Sequence, residues 1–265
     1  MSNYLKLVDF EIKRFWKIYV ALLSVVVVME CGFVTYESLY YKGLIEAGNY
    51  GGEPLTLSYL TSSSFFELAP TLCIAILVLY VFFTWYREWF SKNTFAFQLL
   101  LLPFNRMTIY LAKLSSIVLF ILGCLVTQLA LYPLLKTIFQ AILPTQFRMD
   151  ITLVQWLWES SDLFDLLIPL NATDFLLYYG IGIAGVIVVF TVILLERSFR
   201  LKGIFFSVLF LSVCLFLLLF PALLHNFVLP LYESEYVALQ IMVIALIVFA
   251  SLFLSYYLMK KKIWV

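Results

Sequence analysis

Charge is the scarcest commodity in this 265-residue chain. Asp, Glu, Lys and Arg together make up 12% of it, against 64% hydrophobic residues, and the mean hydropathy is +1.03. Soluble domains carry about 25% charged residues, so a soluble globular protein is excluded and an integral membrane protein is expected. One histidine, His225, rules out a histidine metal cluster or a multi-histidine membrane protease. The four cysteines, Cys31, Cys73, Cys124 and Cys214, each fall inside an apolar run, and no two have metal-ligand or redox spacing. A disulfide framework is therefore not expected. Glu30 precedes Cys31 where a lipoprotein signal needs a small residue, and the N-terminal region holds Asp9 and Glu11 with no small-x-small cleavage site. The first apolar run is expected to be retained as a span. The chain shows no P-loop, no Ser, His and Asp arrangement and no acidic pair within a span. The net charge of +1 is dispersed over loops, which gives no basis for nucleic-acid binding.

What is present is a series of apolar runs of about 20 residues, long enough to cross a hydrocarbon core. Residues 3–17 come first, with Leu5, Val8, Ile12, Phe15 and Tyr19 recurring at three- and four-residue steps and Lys6, Lys13, Arg14 and Lys17 elsewhere. This pattern suits an interfacial helix, and equally a basic flank that fixes orientation. Spans are expected at about 16–36, 66–86, 108–132, 174–195, 203–224 and 236–259. Pro133 and Pro144 are expected to bracket a short apolar segment after the third span, and Pro221, His225 and Pro230 to end the fifth. From Asp150 to Leu167, Ile151, Val154, Leu157, Trp158 and Phe164 alternate with Gln155, Glu159 and Asp162, which predicts a second interfacial helix with its acids in water, ended by Pro169. The fold class is all-α, a single polytopic membrane domain over residues 1–265. With both termini on one side, fourteen of the seventeen basic residues share that side; Lys42, Lys136 and Arg148 are the exceptions. The positive-inside rule then places both termini in the cytoplasm.

The stretch from Arg87 to Lys113 stands between the second and third spans. It opens with Arg87 and Glu88, passes an Asn93-Thr94 break, and turns at Leu102-Pro103-Phe104-Asn105-Arg106. Pro103 cannot extend a helix, and Asn105 is a suitable N-cap for the next one. A helix near the surface, a corner and a new span are expected. The stretch resembles the intracellular loop of ABC-2 type transporter permeases, in which a Glu, a Gly-Thr pair, a Leu-Pro-x-x-Arg corner and a Lys recur at this spacing. The matching residues are Glu88, Thr94, Pro103, Arg106 and Lys113, with Asn93 where the family usually has Gly. Glu11 and Arg14 look like the Glu-x-x-Arg pair near the start of such permeases.

The resemblance implies a six-span permease fold similar to type V exporters, with an N-terminal interfacial helix and a coupling helix in loop 87–107 that docks on a separate ATPase. The permease would not be an enzyme; ATP and Mg would sit on two copies of that partner. A second permease chain, identical or homologous, would complete the assembly in a bacterial plasma membrane. The function implied is export of a hydrophobic or amphipathic cargo, such as a membrane-active antimicrobial peptide. The alternatives are a non-transporting scaffold or sensor, for which the loop match would be incidental, and an intramembrane protease or lipid-modifying enzyme, which would need paired polar residues within spans.

Two further features stand out. Glu30 is the one acid well inside a span, which suggests a substrate path or helix pairing, or a side chain reaching to the outer interface. Gly180, Gly182 and Gly185 spell G-x-G-x-x-G, but a nucleotide site needs a preceding strand. With Ala184 they read instead as small residues that let spans pack closely. Asn171-Ala-Thr173 matches a glycosylation acceptor, a motif common by chance.

Overall fold

The structure is a computed structural model that describes residues 3–90, 105–159, 162–199, 201–227, 230 and 232–261. The helices are α1 (Asn3–Glu46), α2 (Leu57–Thr61), α3 (Ser64–Phe90), α4 (Arg106–Ile142), α5 (Leu153–Trp158), α6 (Asp162–Leu167), α7 (Ala172–Phe199), α8 (Leu201–Phe227) and α9 (Glu233–Lys261). No strand occurs among the described residues, although Leu55 and Arg148 form one isolated parallel bridge. Six helices (α1, α3, α4, α7, α8 and α9) are long and apolar enough to cross a bilayer, so the chain is built as a multi-pass membrane protein.

Residues 3–17 and the first span belong to one continuous helix, because no proline or glycine interrupts the chain before Gly32. Helix α1 ends in a Schellman turn: Gly48 takes φ +72°, its amide donates to the Ile45 carbonyl (3.0 Å), and Asn49 donates to Leu44 (3.0 Å). Prolines behave differently from expectation. Pro133 lies inside α4 and Pro221 inside α8, so neither ends its helix, and Pro70 is carried within α3 in the same way. Each removes a single backbone bond. In lipid, ending the helix would expose many more polar groups than continuing it does.

The chain divides into two compact units. The first comprises Met1–Glu11, Val78–Ile117 and Leu176–Val265; the second comprises Ile12–Leu77 and Val118–Phe175. In the first unit, α7, α8 and α9 pack around Cys214, Val243 and Ile247, with Val188, Phe210, Leu217 and Leu218 against them. The first turn of α8 lies close against the last turns of α7. A Cβ on Gly203 would lie 2.6 Å from the carbonyl oxygens of both Leu195 and Glu196, so glycine is required there. Ser207 Oγ reaches back to the Val192 carbonyl (3.0 Å), and Thr191 Oγ1 meets the Ser251 carbonyl (3.2 Å) and Ser255 Oγ (2.9 Å).

In the second unit, α1 and α4 run parallel. Phe15 and Tyr19 pack on Phe120, Tyr19 donates to the Phe120 carbonyl (3.0 Å), and its hydroxyl lies where a Cβ on Gly123 would be. A layer of short helices completes this unit. The run from Asp150 to Leu167, expected as one interfacial helix, forms the two short helices α5 and α6. Thr152 and Gln155 cap α5 reciprocally in a capping box. Trp156 is buried, donates to Thr61 Oγ1 (2.9 Å), and packs tilted against Tyr132 and edge to face against Phe164. Leu157 and Phe164 are buried as their spacing suggests, whereas Val154 and Trp158 are exposed. Glu159 is not simply in water, since it accepts a bond from Ser58. Tyr132 and Lys136 both donate to the Ile151 carbonyl (2.7 and 2.8 Å), which fixes the start of this layer on α4.

Candidate functional site

The densest polar arrangement in the first unit lies where α3 ends and α4 begins. Asn105 caps α4: its Oδ1 accepts from the Met107 amide (3.2 Å), and its carbonyl accepts from Thr108 (2.8 Å). One helical turn later begins a face that carries Ile109, Tyr110, Ala112 and Lys113 into the interior. Lys113 is fully buried. Its ammonium donates to Glu11 Oε1 on α1 (2.8 Å) and to the Thr84 carbonyl on α3 (3.3 Å), and it lies 5.3 Å over the Trp85 ring. Glu11 is 3% exposed, so both ions of this pair have left water. Such a pair is not a large net source of stability, because desolvation offsets the Coulomb attraction. Its consequence is positional: neither charge can be separated from the other at low cost, so three helices are held in one register.

Trp85, the ring that covers Lys113, packs in turn on Tyr110 and Phe190, the three meeting edge to face or tilted with centroids 5.3 to 6.3 Å apart. Burial of both ions beside this apolar cluster lowers the local dielectric and strengthens their attraction. Two further ties hold the same helix ends. Arg106 Nη1 donates to the Met259 carbonyl in the last turn of α9 (2.8 Å), where a cation also meets the negative end of the helix. Tyr86 donates to the Glu196 carboxylate on α7, and the Arg197 guanidinium lies 5.0 Å over the Tyr86 ring. Tyr4 and Ser115 hydroxyls share a bond (2.6 Å) between α1 and α4.

The residues singled out in the sequence distribute as follows. Lys113 and Arg106 belong to these ties, Asn105 is the exposed N-cap, and Arg87 is half-buried in the last turn of α3. Glu88 lies in α3, with its side chain outside the description. Asn93, Thr94 and Pro103 lie outside the described residues. Ala184 is buried, whereas a Cβ on Gly180, Gly182 or Gly185 would meet nothing within 4 Å. Those three glycines therefore make no close helix approach among the described residues.

Glu30, in the second unit, is 1% exposed. Its partner is Gln128 on α4, whose Nε2 donates to Glu30 Oε1 (2.7 Å). Glu30 Oε2 and Gln128 Oε1 have no hydrogen-bond partner among the described residues. Thr84 and Gln128 carry no flag in the sequence, being ordinary members of apolar runs, while Trp85 reads there only as an aromatic at a span end and Glu196 only as the close of the fourth span. Glu11 was visible as a residue, but its bond to a lysine 102 positions away was not. No family model matches this chain, and no curated protein or solved structure matches it.

Proposed function

We propose that this chain is the membrane-spanning subunit of an ATP-driven exporter of the ABC-2 type. In this reading two such permeases, identical or homologous, work with two ATPase subunits that hold ATP and Mg. The assembly sits in a bacterial plasma membrane with both termini of this chain in the cytoplasm. The cargo is hydrophobic or amphipathic, a membrane-active peptide being the leading class.

One observation supports the reading beyond the loop motif. Both helix ends flanking residues 91–104 are tied to the rest of the first unit by buried or half-buried polar bonds. Thr84 and Tyr86 hold the end of α3 to Lys113 and Glu196, while Arg106 and Lys113 hold the start of α4 to Met259 and Glu11. A loop that receives a push from a partner must be anchored in this way, because slack at its ends would absorb the displacement. Closure of an ATPase dimer against loop 87–107 would then shift the population between inward- and outward-open forms.

The test is co-purification from native membranes in mild detergent. An ATPase subunit should accompany the wild-type chain, with several-fold less recovered with Glu88→Ala and with Arg106→Ala. Arg106→Ala also removes a bond to α9, so the thermal stability of each variant in the same detergent is measured alongside. If the wild-type chain retains no nucleotide-binding protein, the exporter reading fails, and a scaffold or sensor role takes its place.

A further inference from the structure

Sequence spacing gave no reason to pair any of the four cysteines. In the second unit, however, Cys73 on α3 and Cys124 on α4 stand with their sulfurs 3.3 Å apart. Both are free thiols. Cys73 is buried and Cys124 half-buried, and their sequence neighbours Leu72, Ile74 and Leu122 are exposed on apolar spans. Gly123 beside Cys124 has no side chain, and the Tyr19 hydroxyl takes the space a Cβ would fill. A disulfide needs sulfurs about 2.05 Å apart, so closing this gap takes about 1.2 Å of side-chain movement. The pair thus meets the first requirement of a dithiol site, two sulfurs already in contact. It does so where water-borne oxidants such as oxidised glutathione do not partition.

We propose that Cys73 and Cys124 form a reversible dithiol–disulfide site whose oxidant is a lipid-soluble quinone. Two S–H bonds break and one S–S bond forms between Cys73 Sγ and Cys124 Sγ. The two electrons and two protons pass to the quinone, whose two carbonyls become the two hydroxyls of the hydroquinone. The thiols are oxidised and the quinone reduced, with no other co-reactant. The product ties α3 to α4 through a covalent bond within the second unit. Cys31, half-buried on α1, and Cys214, buried on α8, have no sulfur partner among the described residues and are not part of the site. The inference does not depend on the exporter reading.

The test uses the full chain, reduced and then freed of reductant in lipid nanodiscs. The nanodiscs are exposed to decyl-ubiquinone, a fully substituted benzoquinone that thiols do not arylate. Thiols are then counted with N-ethylmaleimide after denaturation. The expected result is a fall from four reactive thiols to two, reversed by dithiothreitol, with one new cross-linked peptide joining the segments that hold Cys73 and Cys124. Cys73→Ser and Cys124→Ser should each abolish the loss, while Cys31→Ser and Cys214→Ser should leave it in place. Peptide mapping of the wild type gives the same answer if a variant fails to fold. Four thiols retained after the quinone would overturn the proposal. So would a bond mapped to Cys31 or Cys214, or one formed by diamide but not by the quinone.

Discussion

Glu11 and Glu30 lie on one helix, both are buried, and both bond to a side chain of α4, yet the two are held in different ways. Glu11 meets a lysine that is itself fixed by a backbone carbonyl and covered by an indole ring. Glu30 meets a neutral glutamine amide. In both acids one carboxyl oxygen is bonded and the other has no hydrogen-bond partner among the described residues, so the difference lies in the charge of the partner. In the first arrangement each charge neutralises the other, and substituting either strands its partner in an apolar interior. In the second the partner carries no charge, and a glutamine in place of Glu30 keeps the accepting oxygen with little change in shape. Two acids of the same burial therefore differ in what they cost to replace. Rarity in a span, the property that singles out Glu30 in the sequence, does not rank them.

The two acids should differ most when Lys113 is replaced. Lys113→Met should cost about 3–5 kcal/mol of stability in reversible unfolding from mixed micelles, because Glu11 is left buried and uncompensated. The double variant Glu11→Leu/Lys113→Met should recover most of that loss, giving a large coupling energy in the cycle. If the double variant is as unstable as the single one, the pair matters through packing and not through charge. The next effect in size is expected at Gln128. Replacing it with Leu removes the amide donor to Glu30 and should cost about 1–3 kcal/mol in the same measurement. The smallest should come from Glu30→Gln, which can still accept from Gln128 and should stay within about 1 kcal/mol of wild type. Glu11→Gln, by contrast, should approach the Lys113→Met value. Equal losses at the two glutamates would erase the distinction drawn between them.

Much of the architecture was legible because long apolar runs leave a chain few options in lipid. All six expected spans appear as helices, and Asn105 starts α4 with the capping bond its side chain suggests. The errors cluster at proline and at amphipathic stretches. Pro133 and Pro221 read as stops by the rules of water-exposed helices, where a broken backbone bond is readily replaced by one to solvent. Inside apolar surroundings the helix continues through them. The Asp150–Leu167 pattern has a helical period, but Trp156, which lies off the expected apolar face, provides the anchor, and the segment splits into two.

The candidate site was legible only in its parts. Lys113 and Arg106 stood out through a loop motif, and Glu11 through another. Joining Glu11 to Lys113 needs knowledge of which turn of α1 faces which turn of α4, and a sequence period gives a helix face without its rotational partner. Gln128 carries no signal, because an uncharged amide in an apolar run resembles any other tolerated polar residue. The Cys73–Cys124 contact was hidden for the same reason as the ion pair, since 51 residues separate its members.

Gly203 carries a consequence of another kind. The carbonyls that close the end of α7 occupy the space that any side chain at this position would need. All glycine codons begin with two guanines, so a change in either of the first two bases either places a Cβ against those carbonyls or stops translation. The close approach of α8 to α7 thus rests on two nucleotides at which the gene has no tolerated alternative, while the neighbouring exposed positions 204 and 205 can drift among apolar residues.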